Sequence, residues 1–250
     1  MPLETLLLLT AGVFVIAVLY SSVGHAGASG YIAVMSLLSL APEIIKPTAL
    51  ALNILVASIA TWQFFKAGHF SWRLFWPFSI LAVPFAFLGG YVNLPTHTFK
   101  VILGFVLLCS AVRFLIVAQR DKKVSEPPRF QAIGVGAGIG LLSGLTGTGG
   151  GIFLTPLLLF MGWAEAKSAA AVSALFILVN SVAGLIGYLL NANTLANANT
   201  LPSLIAPLFV VAALGGGVGS YLGSRRFESA LIKRFLAVVL FIAGAKLIFT

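Results

Sequence analysis

From residue 168 to residue 224 the chain runs without a single Asp, Glu, Lys or Arg, and further uncharged stretches cover 5–42, 47–65, 74–99 and 130–164. A helix crossing a bilayer needs about 20 largely apolar residues, so several of these stretches are long enough for two passes. In lipid the backbone must satisfy its own hydrogen bonds, which leaves helices or a closed barrel. Barrel strands alternate apolar and polar side chains, whereas these runs are continuously apolar. The expected fold class is therefore an all-α integral membrane protein. Composition agrees: 60% of the 250 residues are hydrophobic and 8% are charged, against roughly 25% charged in a soluble domain.

The formal net charge of +9 raises nucleic acid as a partner. The basic residues lie between apolar runs, however, and make no extended basic surface. They are read as orienting the chain in the lipid bilayer, and no nucleic-acid partner is expected. A single cysteine, Cys109, excludes an internal disulfide or a cysteine metal cluster and is read as a packing residue. His25, His69 and His97 are widely separated, so neither a metal site nor a cofactor is expected. The first twenty residues lack a basic leader and read as a retained helix.

Five apolar segments precede the most polar stretch and five follow it. The expected segments are 3–22, 28–41, 44–66, 72–93 and 98–118, then 130–145, 150–162, 165–190, 201–223 and 230–249. This divides the chain into a first transmembrane repeat, 1–118, a charged cytoplasmic linker, 119–129, and a second repeat, 130–250. The second segment of each five is too short to cross a core about 30 Å thick at 1.5 Å per residue. It reads as a broken or re-entrant half-helix. The halves also share residues: Ser22, Gly30 and Lys46 recur 121 positions later as Ser143, Gly151 and Lys167, Ala51 recurs as Ala171 after a slip of one, and Gly89 and Tyr91 return as Gly219 and Tyr221.

Lysine and arginine in short loops favour the cytoplasmic side. With the linker inside, Lys66, Arg73, Lys167 and the cluster Arg225, Arg226, Lys233 and Arg234 are also inside, while Lys46, Lys100 and Lys246 are outside. Both termini are then external, and equivalent loops of the two halves face opposite ways. That is the inverted-topology repeat common among secondary transporters.

The most specific local feature is the run Gly147, Thr148, Gly149, Gly150 and Gly151, with Pro156 shortly after. Glycines allow unwound backbone and close approach by a ligand. A half-helix starting there would aim free amides and a positive dipole end into the membrane, which favours an anion. No Gly-Lys-Ser/Thr follows, so the run is not a nucleotide loop. The structural alternative is close helix packing through small residues. The corresponding stretch of the first half contains Gly24, His25, Gly27, Ser29 and Gly30. His25 is its ionisable side chain, either a satisfied core residue or one that donates to an anion or carries a coupling proton. Asn53, Ser58 and Thr61 answer Ser173, Asn180 and Ser181 on the long helices that follow, and at helical spacing many can share an interior stripe. Asn53, Ser173 and Asn180 are the preferred ligand donors. Glu43 with Lys46, and Glu165 with Lys167, read as structural pairs at helix starts.

These features resemble the sulfite exporter family of the TauE/SafE type. The resemblance runs through two related halves, a charged linker and the glycine run ending in Pro156, followed by Ala171, Val172 and Ser173, where the family more usually shows Ala-Thr-Ser. In the first half Ala28 and Ser29 stand for glycines, Met35 for the proline and Ala51, Leu52, Asn53 for the triplet. The resemblance implies a multi-pass protein of the bacterial inner (plasma) membrane that transports sulfite, a related sulfur oxyanion or an organosulfonate. A proton or sodium ion would be the coupling partner. The expected site joins Gly27, Ser29, Gly30 and Asn53 with Gly149, Gly150, Gly151, Ser173 and Asn180, and His25 is the proton-coupling candidate. The competing reading is a non-transporting membrane scaffold or assembly subunit. An enzyme is not expected, since no nucleophile with its base and no metal cluster appears within the apolar runs.

Overall fold

The computed structural model describes residues 3–92, 124–191 and 201–225, with scattered positions between 94 and 112 and at 241 and 245. The expected segments at 98–118 and 230–249 lie largely outside the described residues, as do 119–123 of the linker and the loop 192–200. Among the described residues there are eight helices and no strand: α1 (Leu3–Ser22), α2 (Ala28–Leu37), α3 (Pro42–Lys66), α4 (Trp72–Tyr91), α5 (Arg129–Thr146), α6 (Gly151–Phe160), α7 (Ala166–Leu190) and α8 (Leu201–Arg225). Five of them, α1, α3, α4, α7 and α8, are long and apolar enough to cross a membrane. Local chemistry explains their ends. Pro42 sits in the first turn of α3, where its missing N–H costs nothing, and the Ser71 hydroxyl caps α4 by accepting from the Leu74 amide.

The two longest helices of the centre, α3 and α7, are 25 residues each and pack antiparallel. The Tyr188 hydroxyl near the end of α7 donates to the Glu43 carbonyl at the start of α3, 3.1 Å away. Asn53 and Ser181 meet near the middle, and Phe64 clusters with Ala170 and Ala171 at the other end. On one flank α4 and α5 run parallel along a glycine seam. A Cβ on Gly136, Gly140 or Gly144 would strike the backbone oxygen of Phe78, Ala82 or Ala86 respectively. On the opposite flank the same device joins α8 to α1, where Gly215, Gly219 and Gly223 abut the carbonyls of Phe14, Val18 and Ser22. Lipid supplies no hydrophobic drive between such helices, so close backbone approach through small residues is what holds them.

Of the described basic residues, Lys66, Arg73, Arg129, Lys167 and Arg225 gather at one end, where α3 and α8 finish and α4, α5 and α7 begin. Trp62, Trp72 and Trp76 ring the same end and are about three-fifths exposed, as expected of side chains at a membrane interface. Lys66 lies 4.9 Å from the Trp62 ring centroid. Arg73 pairs with Glu126 at 2.9 Å across two exposed side chains, which contributes at most about 1 kcal/mol.

Three local expectations are corrected. Lys46 does not pair with Glu43: it is buried, and its ammonium donates to the carbonyls of Gly89, Gly90 and Val92 at 3.2 to 3.4 Å while lying 5.4 Å from the Tyr188 ring centroid. The last carbonyls of α4 lack intrahelical donors and form its negative end, so they offer the cation more than a solvated carboxylate does. Ser58 turns outward and donates to the Ile54 carbonyl, so it leaves the interior stripe. Cys109 is exposed rather than packed.

Candidate functional site

α5 ends where Gly147 takes a left-handed conformation, φ 77°, and its amide still donates to the Ser143 carbonyl. Gly149 and Gly150 are also left-handed, φ 76° and 82°, and Gly150 caps the start of α6. A residue with a Cβ resists that conformation, which is why the break is built from glycine. The chain thereby turns back, and α6 descends antiparallel to α5. The first break has the same plan, with Gly24 at φ 77° and Gly27 at φ 105° capping α2. The left-handed positions correspond at a separation of 123 residues: Gly24 with Gly147, Gly27 with Gly150, and Ser39 with Gly162. Both short helices are 10 residues long. The conformational register therefore corrects the separation of 121 drawn from residue identities.

The two breaks meet. His25, buried, places Nε2 3.0 Å from the Gly151 carbonyl oxygen and Nδ1 3.1 Å from that of Val23. Carbonyl oxygens only accept, so each contact requires an N–H on the ring. A neutral imidazole has one, and the imidazolium has two. Which ring nitrogen carries the hydrogen, and so which carbonyl it serves, is set by the tautomer. The Tyr20 ring stands edge-on to His25, 6.3 Å between centroids.

Around the second break the central helices supply a polar wall. A Cβ on Gly149 would lie 2.6 Å from Asn53 Nδ2, 2.7 Å from Ile177 Cγ2 and 3.0 Å from Ser181 Oγ. One on Gly150 would lie 2.9 Å from Phe176 Cε1, 3.0 Å from Ile139 Cγ2 and 3.4 Å from Ser143 Cβ. Gly151 faces Ile177 and the Ser173 carbonyl. The break thus sits at mid-length of α3 and α7, deep in the bundle.

Of the residues expected to form the site, Asn53, Gly149, Gly150, Gly151 and Ser173 come together here, joined by His25 from the first break. Asn53 donates to Ser181 at 3.2 Å, leaving Asn53 Oδ1 with no partner. Ser173 accepts from Thr155 at 2.7 Å. Asn180 is fully buried and neither of its polar atoms has a partner. Ser29 and Gly30 face α1 instead: Ser29 donates to the Tyr20 hydroxyl at 3.0 Å, and Gly30 packs on Ile16 and Tyr20. Gly27 packs on the Tyr31 ring, whose hydroxyl donates to the Ala26 carbonyl. Ser143 and Ser181 were not among the expected ligands. The available signal for Ser143 was a hydroxyl one turn before the unwound glycines, and for Ser181 its place beside Asn180. A cavity of about 810 Å³ lies at the basic end, lined among others by Arg73, Arg129, Glu126, Glu165 and Trp163.

Residues 8–247 match the family described as sulfite exporter TauE/SafE. A Sinorhizobium fredii protein named "Probable membrane transporter protein y4hK" is 43% identical over 240 residues, which cover 94% of this chain and 95% of that protein. One from Methanocaldococcus jannaschii, "Probable membrane transporter protein MJ0441", is 27% identical over 171 residues, 67% of this chain and 63% of its own. No solved structure matches the chain. A family match spanning nearly the whole length, on a bundle with five helices fit to cross a bilayer, places this chain in the sulfite exporter TauE/SafE family of multi-pass membrane proteins.

Proposed function

We propose that the protein is a secondary carrier of a small anion in the bacterial inner membrane, with sulfite, a related sulfur oxyanion or an organosulfonate as substrate. The observation that carries this reading is the meeting of two broken helices at mid-bundle through His25 and Gly151. The starts of α2 and α6 bring amide groups without intrahelical acceptors into the interior, and an oxyanion matches such groups. A scaffold has no use for such groups at its centre. The antiparallel pairing of α3 with α7, and the matched parallel seams of α4 with α5 and α8 with α1, support an inverted repeat, the architecture that permits alternating access. The gathering of basic residues at one end supports placing that end in the cytoplasm.

Purified protein in vesicles is expected to pass sulfite down an imposed gradient, faster when a proton gradient is added in the same direction. His25→Gln is expected to lose that acceleration while retaining flux. Absence of flux for sulfite, thiosulfate, sulfate and small sulfonates alike would favour the scaffold reading. For topology, single cysteines at Ser125 and Asn197, in a background lacking Cys109, are expected to label from opposite sides of the membrane. Labelling of both by an impermeant reagent outside intact cells would end the inverted arrangement.

A further inference from the structure

Among the described residues, Asn180 is the buried amide side chain with both polar atoms unpartnered. It is wholly buried at mid-length of α7, and neither its Oδ1 nor its Nδ2 has a partner. A buried amide without partners is costly, and within a membrane such a group marks function. Its surroundings name the place. Asn180 follows Phe176 and Ile177 by one turn, and these two side chains press on Gly150 and on Gly149 and Gly151 respectively. The Ser143 hydroxyl, also buried and unpartnered, stands on the Gly150 side of the same break. Two wholly unpartnered side chains, Asn180 and Ser143, therefore accompany the start of α6, and Asn53 Oδ1 is a further unpartnered atom beside Gly149.

An amide offers one carbonyl and one NH2 whichever way it is turned. The NH2, the Ser143 hydroxyl and the α6 amides all suit an oxyanion. The carbonyl does not, because a fully deprotonated oxyanion presents only acceptors and would set lone pair against lone pair. A ligand that completes the set carries negative oxygens and a hydrogen-bond donor of its own.

We propose that Asn180 and Ser143 form the seat of a monovalent oxyanion bearing an O–H group, and that Asn180 selects for that group. This rests on the anion-carrier reading above. The chemical class comprises hydrogen oxyanions and small hydroxylated sulfonates. Ser143 holds the charged oxygens, and the Asn180 carbonyl takes the donor.

Isethionate and ethanesulfonate test the idea, since both are permanent monoanions and only the first has a hydroxyl. In sodium-free vesicles isethionate is expected to compete with sulfite flux about tenfold or more better than ethanesulfonate, the discrimination one well-formed hydrogen bond supplies. Asn180→Leu is expected to bring the two within about twofold while leaving the melting temperature equal or higher, because an orphaned amide gives way to an apolar side chain of similar size. Ser143→Ala is expected to weaken both competitors alike. Equal competition in the wild type, including none by either, overturns the proposal, and that result needs no variant to fold. A preference that appears only with sodium assigns the carbonyl to a cation and overturns it too. Asn180→Leu that melts lower yet keeps the preference makes the amide a packing residue. If sulfite itself does not move, the carrier reading fails instead.

Discussion

Gly140→Val is expected to prevent the bundle from assembling, while Gly138→Ala on the same helix leaves it intact and melts slightly higher. Helix propensity does not distinguish the two sites, and favours alanine over glycine by about 1 kcal/mol at either. Packing separates them. At Gly138 nothing lies within 4 Å of an added Cβ, whereas at Gly140 it would strike the backbone oxygen of Ala82. A backbone carbonyl in a helix cannot swing aside as a side chain can, so α4 and α5 must move apart. Gly136 and Gly144 meet Phe78 and Ala86 in the same way, so a separation at Gly140 disturbs the whole seam. Overpacking in a side-chain core typically costs 1–3 kcal/mol, and a clash between two backbones belongs at or above the upper end. Thermal unfolding and size-exclusion profiles in detergent measure it. A Gly140→Val protein that is monodisperse and melts within about 2 °C of wild type would mean that the seam is not what holds α4 to α5.

The outline of this fold was legible because lipid removes alternatives. Long uncharged runs leave a helix as the solution, and the expected segments at 28–41 and 150–162 appear as the short helices Ala28–Leu37 and Gly151–Phe160. The second break was legible for the same kind of reason, since consecutive glycines in an apolar context have few uses. Register was harder. Residue identities align Gly30 with Gly151, but Gly30 packs on α1 whereas Gly151 faces α7. The recurring element is a left-handed turn, and Gly24 and Gly147 carry it with little similarity in the residues around them. Partners chosen across the bundle were hidden too. Glu43 is the near neighbour of Lys46 in sequence, yet the end of α4, some forty residues away, provides three carbonyls. The joining of His25 to Gly151 is a contact of the same long-range kind.

Gly150→Val is expected to remove at least about nine-tenths of anion flux from a protein that still inserts and folds, and Gly68→Ala is the control that gives this meaning. Both glycines are left-handed, at φ 82° and 75°, so each substitution incurs roughly 1–2 kcal/mol of backbone strain. They differ in surroundings. Gly68 has nothing within 4 Å of an added Cβ, while at Gly150 the Phe176 ring and Ile139 lie 2.9 and 3.0 Å away. Those contacts are the ends of side chains, which can yield, so the bundle survives where it could not at Gly140. What does not survive is the approach to the start of α6, because the new methyl groups occupy the space between the α6 amides, Phe176 and Ser143. Gly68→Ala should therefore lower the melting temperature and keep its flux, and Gly150→Val should lose flux beyond anything its melting temperature explains. Gly150→Ala should fall between them. Equal flux per folded molecule in Gly150→Val and Gly68→Ala would take the glycine break out of the transport path and leave it as a packing device, with the orphaned hydroxyl and amide beside it still to be accounted for.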